Sequence, residues 1–233
     1  MRVAALYDVH GNLPALDAVL AEVDADVIVI GGDFAAGAWP SETVERLRSL
    51  EGDVRFIRGN ADRELVTPPG ESKLAGAPQE VLAWTRAQLS DDQLDFLGSL
   101  PLTETIDVDG LGSVVFCHAT PRDDDELLTR ISPDERWDAA LAEADADVVV
   151  CGHTHIQFDR RIGDTRVVNA GSVGMPYENE PGAYWTLLGP DVDFRRTEYE
   201  PGDIAGSGFP DEWPEASPDE ATEFFERVSR ERA

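Results

Sequence analysis

Lysine is almost missing from this chain: Lys73 is the only one among 19 basic residues, against 47 acidic residues and a net charge of −28. A surface so acidic excludes a nucleic-acid groove built on charge, which needs clustered cations to meet phosphates. A GC-rich genome accounts for arginine in place of lysine but not for the excess of acid. That excess points to a salt-adapted protein of a high-salt cytoplasm, where at about 1 M salt a Debye length of roughly 3 Å suppresses self-repulsion. Cysteine is also scarce. Cys117 and Cys151 lie inside apolar runs and form no CxxC pair, which excludes a disulfide framework and predicts buried thiols in a reducing compartment. Long apolar runs are absent. Val27–Ile30 and Val148–Cys151 fall far short of the ~20 residues a membrane helix needs. The opening MRVAALYDVHGN puts Asp8 and then a glycine where a signal peptide would continue with small apolar residues, so it reads as a core strand and the expected location is cytoplasmic. No GxxxxGK[ST] occurs, which removes a P-loop. AGSVG at 170–174 lacks the first glycine of GxSxG, and a serine hydrolase is not expected.

With 233 residues and 42% hydrophobic content, the chain is long enough for one large domain with a substantial core. Its first sixty residues alternate short apolar runs with helical patterns, the mark of βαβ units and a parallel sheet. Strands are predicted at Val3–Tyr7, Val27–Ile30 and Val54–Ile57, separated by helices at Leu13–Glu22 and from Ser41, as N-cap, to Leu50. Pro78 to Leu100 reads as two helices joined at Ser90, and Leu102–Val108 with Ser113–Cys117 as a hairpin around Asp109-Gly110. A helix at Pro133–Glu143 and a buried strand at Asp147–Cys151 follow. Further strands are placed around Gln157–Arg161, Arg166–Asn169, Ala183–Leu188 and Val192–Tyr199. The expected domain is 1–199. Residues 200–233 read as an acidic Pro/Gly-rich tail with one short helix from Pro218 to Arg230.

All four histidines, His10, His118, His153 and His155, come just after apolar strands. Asp33 in IVIGGD and Asn60 in RFIRGN hold the same place after the second and third strands, and Asp8 precedes His10. Side chains at the carboxyl ends of strands converge in α/β sheets, so these seven groups are expected in one crevice. Imidazoles, carboxylates and an amide oxygen suit borderline divalent metals, and a carboxylate bridges two ions about 3.5–4 Å apart.

The series DVHGN, GGD, GNAD, CH, GHTH and NAGS resembles the calcineurin-like metallophosphoesterases, and within them the small bacterial and archaeal phosphodiesterase branch, from Val3 to about Leu188. The resemblance implies a four-layer αββα sandwich and two divalent metal ions, manganese first, with iron, nickel, cobalt or zinc as alternatives. By it Asp8, His10 and His155 bind one metal, Asn60, His118 and His153 the other, and Asp33 bridges them. The implied activity is hydrolysis of small phosphodiesters by a hydroxide shared between the metals. Two dications less the charges of Asp8 and Asp33 leave the site positive, which draws a phosphate into an acidic protein. In one departure, Ala61 stands where many relatives have the histidine of GNHD that protonates the leaving group, so no general acid is assigned. Asp62 is expected to orient neighbouring groups or to cap a helix. Arg122 and Arg63 are the cations expected nearest the crevice and are candidate phosphate clamps, with ion pairing to surface acids as the competing reading for both. A small phosphorylated substrate is the expected partner, and self-association is left open. The rival reading is a non-catalytic scaffold retaining the fold and its metal-binding residues; a redox sensor built on Cys117 and Cys151 is a third.

Overall fold

The structure is a computed structural model that describes residues 1–67, 79–210 and 216–232. Short apolar runs open the chain as β1 (Val3–Leu6), β2 (Val27–Ile30) and β3 (Asp53–Phe56), joined by α1 (Leu13–Glu22) and α2 (Pro40–Arg48). Three helices follow, α3 (Asn60–Val66), α4 (Gln79–Gln88) and α5 (Asp91–Gly98), then the hairpin β4 (Thr103–Val108) and β5 (Gly112–Cys117). After α6 (Asp134–Leu141) come β6 (Val148–Cys151), β7 (Phe158–Ile162), β8 (Thr165–Asn169), β9 (Ala183–Leu188) and β10 (Val192–Thr197), and last the one-turn α7 (Ile204–Ser207) and α8 (Pro218–Arg232).

One sheet has the order β10-β9-β1-β2-β3 and the other β4-β5-β6-β8-β7. In the first, β1, β2 and β3 are parallel and run out to one edge, with β9 and β10 added antiparallel on the other side; in the second, the central β5, β6 and β8 are parallel and β4 and β7 pair antiparallel at the two edges. The two-residue alternation of side chains along a strand decides how they stack. Val3, Ala5 and Tyr7 share an apolar cluster with Val114, Phe116, Val148 and Val150 of the second sheet. Ala4 and Leu6 face the opposite way, onto α1, α2 and α5 through Leu16, Val19, Leu47 and Leu97. On the far side, Val115, Cys117 and Val149 pack under Trp137 and Ala140 of α6. Both faces of both sheets are therefore apolar, and the result is a four-layer αββα sandwich. Burial of each large side chain contributes roughly 1.5–3 kcal/mol, and a one-residue slip would reverse every face, so the layering is fixed by pattern.

Several boundaries depart from the sequence reading. Ser41 does not cap α2: Pro40 takes the first helical position, Trp39 the cap without a side-chain bond, and the Ser41 hydroxyl bonds Gln93 at 3.2 Å. Ser90 does cap α5, in a reciprocal pair with Gln93. The hairpin turn includes Leu111 as well as Asp109 and Gly110, because Val108 pairs with Gly112. The predicted helix start at Pro78 lies outside the described residues. Beyond residue 199, α8 packs on the body: Ala221 joins Ile156 and Tyr177 in an apolar cluster. Its buried Glu226 accepts from Thr129 at 2.7 Å and from Ser132.

Candidate metal centre

The strand ends deliver the seven predicted residues to one place. Asp8 and His10 follow β1, Asp33 follows β2, Asn60 opens α3 after β3, His118 follows β5, and His153 and His155 follow β6. His155 Nε2 lies 3.3 Å from Asp8 Oδ1 and 3.2 Å from His10 Nε2. His118 Nε2 lies 3.3 Å from Asp33 Oδ2, 3.1 Å from Asn60 Oδ1 and 3.8 Å from Asp8 Oδ1. The His153 ring sits beside that of His118, with centroids 5.1 Å apart. Two groups result, Asp8–His10–His155 and Asp33–His118–His153, each with its ligand atoms within 4.8 Å of one another. They adjoin through His118, which is near both carboxylates.

The backbone is strained where these side chains are aimed. Asp8, His10, Asp33, His153 and His155 have φ of 52°, 46°, 50°, 65° and 58°, and they are the only non-glycine residues with positive φ among those described. Side chains enter this region reluctantly, at about 1 kcal/mol or more each, and such residues gather at functional sites. Two motif glycines have a separate reason. A Cβ on Gly59 would strike the Asp33 carboxylate, and one on Gly152 would strike that of Asp8.

Neighbouring groups fix the ring orientations. The Nδ1–H of His118 donates to the Gly31 carbonyl at 2.9 Å and that of His155 to the Met175 carbonyl at 2.7 Å, and His10 Nδ1 lies 3.3 Å from the Ala36 carbonyl. Each bond turns an Nε2 lone pair inward, the arrangement that metal-ligating histidines use. Asp8 Oδ2 accepts from the His153 N–H at 2.9 Å and Asp33 Oδ1 from the Ala61 N–H at 2.7 Å. Asp8 Oδ1 and His153 Nε2 are buried without a hydrogen-bond partner. Buried polar atoms are almost always satisfied, so two orphans at the meeting point of carboxylates and imidazoles fit a cation.

The electrostatics agree. Burial works against the imidazolium of His118, yet the Asp33 and Asp8 carboxylates overcome it and raise the ring to about 10. Burial raises the Asp33 carboxyl but His118 outweighs it, so that carboxyl lies below its ordinary range. Burial and the His118 cation push His153 down to about 3, and burial with His155 pushes His10 to about 4. His10 and His153 are thereby held in the neutral imidazole form, the form that ligates. The Cys117 and Cys151 thiols are buried, and burial holds both well above their ordinary range, which leaves little thiolate for redox chemistry.

Asp62 lies beneath the site, accepting from the N–H groups of Asp33 at 2.7 Å, Ala35 at 3.3 Å and Gly59 at 3.2 Å. It therefore ties the loop after β2 to the start of α3. Burial and Asp33 push its carboxyl up to about 7, against the N–H groups of Gly59 and Ala35 and the charge of His118. Arg63 Nε reaches Asp124 at 3.0 Å. The Arg122 guanidinium is engaged throughout, on both oxygens of Glu126 and on the Ala139 carbonyl. Two neighbours were not legible in the sequence. Tyr177 stacks on His155 with centroids 5.3 Å apart, and Asp125 Oδ1 lies 4.0 Å from His153 Nε2.

Residues 1–188 match the model of the calcineurin-like phosphoesterase superfamily domain. The chain is 27% identical over 221 residues to an uncharacterized protein of Methanocaldococcus jannaschii, covering 85% of this chain and 88% of that one. It is 26% identical over 207 residues to phosphodiesterase YfcE of Escherichia coli, covering 80% and 87%. Among solved structures, a metallophosphoesterase from Sphaerobacter thermophilus superposes with a TM-score of 0.71 at 25% identity over 97% and 98% of the two chains. A hypothetical protein from Pyrococcus horikoshii gives 0.78 at 21% over 96% and 97%, a likeness of fold. No helix among the described residues is long and apolar enough to cross a membrane. With a family model covering residues 1–188, most of its length, the chain belongs to the calcineurin-like phosphoesterase superfamily.

Proposed function

We propose that this chain is a dinuclear metal-dependent phosphodiesterase acting on small phosphodiesters, with Asp8, His10 and His155 holding one divalent ion, Asn60, His118 and His153 the other, and Asp33 shared. The observation that carries the reading is the pair of adjoining ligand groups with buried, unpartnered atoms at Asp8 Oδ1 and His153 Nε2. When bound, such ions polarise phosphate oxygens and lower the pKa of a coordinated water. The mixed imidazole and oxygen donors suit borderline divalent metals, and the family resemblance puts manganese first, with iron, nickel, cobalt or zinc next. Asn60 contributes an oxygen without charge, so the site stays positive toward an anion. Ala61 offers no proton and Asp62 is turned to backbone N–H groups, so esters with good leaving groups are favoured. The 26% identity to a phosphodiesterase supports diesters over monoesters.

The test joins metal analysis to hydrolysis of bis(p-nitrophenyl) phosphate and p-nitrophenyl phosphate with Mn, Ni or Zn in high salt. The expected result is two ions per chain, diester turnover above monoester turnover, and loss of activity on chelation. Asp33→Asn should lower turnover about a hundredfold or more, since losing an outer partner of a ligand alone costs roughly 10–100-fold. Two bound metals without turnover would indicate the scaffold instead, and full activity after exhaustive chelation would remove the metal from the reaction.

A further inference from the structure

We propose that the substrate carries a second phosphate group, received by Arg58, Arg63 and Arg232 in a cavity beside the metal centre. This rests on the phosphodiesterase reading and names the substrate class more closely. The cavity has a volume of about 780 Å³, within the range of small-ligand sites. It adjoins the metal centre: its wall includes Asp125, whose carboxylate lies 4.0 Å from His153 Nε2, and Arg63, one turn after Asn60 on α3.

The cavity wall holds five arginines, Arg58, Arg63, Arg122, Arg136 and Arg232, beside Asp123, Asp124, Asp125 and Glu126, a high share of arginine for a chain with 19 basic residues against 47 acidic ones. All five are ion-paired within the chain. Arg122 is held by Glu126 and the Ala139 carbonyl, and Arg136 by the Leu127 carbonyl, Ser229 and Glu226. The other three are ion-paired as well, to Asp124, Glu64 and Asp125, yet keep N–H groups without a protein partner. Arg58 donates only from Nε, to Asp124 at 2.9 Å. Arg63 donates from Nε to the same carboxylate and from Nη1 to Glu64, and Arg232 only from Nη1, to Asp125. Both terminal nitrogens of Arg58, Nη2 of Arg63, and Nε and Nη2 of Arg232 keep their N–H groups unused, and these side chains are 31%, 31% and 32% exposed. One buried carboxylate, Asp124, receives two guanidinium groups and aims both.

Free guanidinium edges in a fixed array match the oxygens of a phosphate. The metal centre already accounts for the phosphate that reacts, so a second anion is what this row would hold. α8 completes it by bringing Arg232 to the cavity. The helix is pinned by Glu226 and by Phe225, whose ring lies 6.0 Å from the Tyr177 ring that stacks on His155.

The experiment compares thymidine 5′-(p-nitrophenyl phosphate) with the same compound bearing a 3′-phosphate, using the manganese-loaded full chain at one fixed salt concentration. The ratio of the two kcat/KM values should favour the 3′-phosphate by about tenfold or more, the scale of a few charge-assisted hydrogen bonds. Arg58→Gln and Arg232→Gln should each bring the ratio toward one. Arg232 is near the end of the last helix, so its variant keeps the comparison valid if Arg58→Gln proves unstable. Hydrolysis of both compounds with equal kcat/KM, or a tenfold preference that survives both substitutions, overturns this inference alone. Hydrolysis of neither overturns the phosphodiesterase reading and this inference with it.

Discussion

Asp62 holds three backbone N–H groups from two separate strand ends, and it is fully buried while doing so. Two of these donors belong to the loop that presents Asp33, the carboxylate that the proposed function shares between two ions. Asp62→Ala leaves buried donors unsatisfied, each at roughly 1–3 kcal/mol, so a loss of at least about 2 kcal/mol is expected by denaturant unfolding. Manganese affinity should fall with it by about 10–100-fold. Asp62→Asn retains an oxygen acceptor and should recover most of the stability. If alanine and asparagine behave alike, the carboxylate is not what ties the loop. The sequence made the seven strand-end residues legible because each follows a short apolar run in a chain with only four histidines. It could not reveal Tyr177 or Asp125, because their places beside His155 and His153 arise from packing between segments far apart in the chain. The pairing of Arg122 with Glu126 is the alternative that so acidic a sequence already offered for that arginine.

At the scale of elements, period and turn chemistry gave nearly all of the strands and helices. The exceptions are informative: Ser41 lost its expected cap because Gln93 of α5 offered its hydroxyl a partner across space. The largest change concerns α8, readable as a helix but not as one that docks. Its docking turns on Glu226, which is 7% exposed and bonded to Thr129 and Ser132 on the loop before α6. Glu226→Ala strands those hydroxyls and weakens the hold on Arg136, at a cost of about 1–3 kcal/mol. Because few other buried groups anchor the helix, the loss should be local. Hydrogen exchange across residues 218–232 should accelerate about tenfold or more, while β1 and β6 stay protected. Unchanged exchange in α8 would mean that the apolar contacts of Ala221 and Phe225 suffice to hold it.

The whole molecule sets an opposing pair of fields: a net charge of −28 over the chain and a centre proposed to receive an anion. Many arginines are already tied to acids on the surface, as in Arg166 with Asp159 and Asp191 or Arg48 with Asp92. Such exposed pairs contribute only about 0–1 kcal/mol each, and salt weakens them. The remaining carboxylates repel one another without partners, and salt weakens that too. Since acids outnumber bases by more than two to one, the second effect outweighs the first, and the fold should gain stability as salt is added. For a chain of this length each kcal/mol moves the melting temperature by roughly 2–4 °C. A rise of at least about 5 °C between 0.05 M and 2 M KCl is therefore expected, most of it complete once the Debye length falls to ~3 Å near 1 M. KCl is the salt to use, because sulfate strengthens apolar burial by exclusion and would raise the melting temperature of a neutral protein as well. Equal melting temperatures at the two concentrations would show that the acidic surface carries no net repulsion, and the salt-adapted reading would fall while the metal site stood untouched.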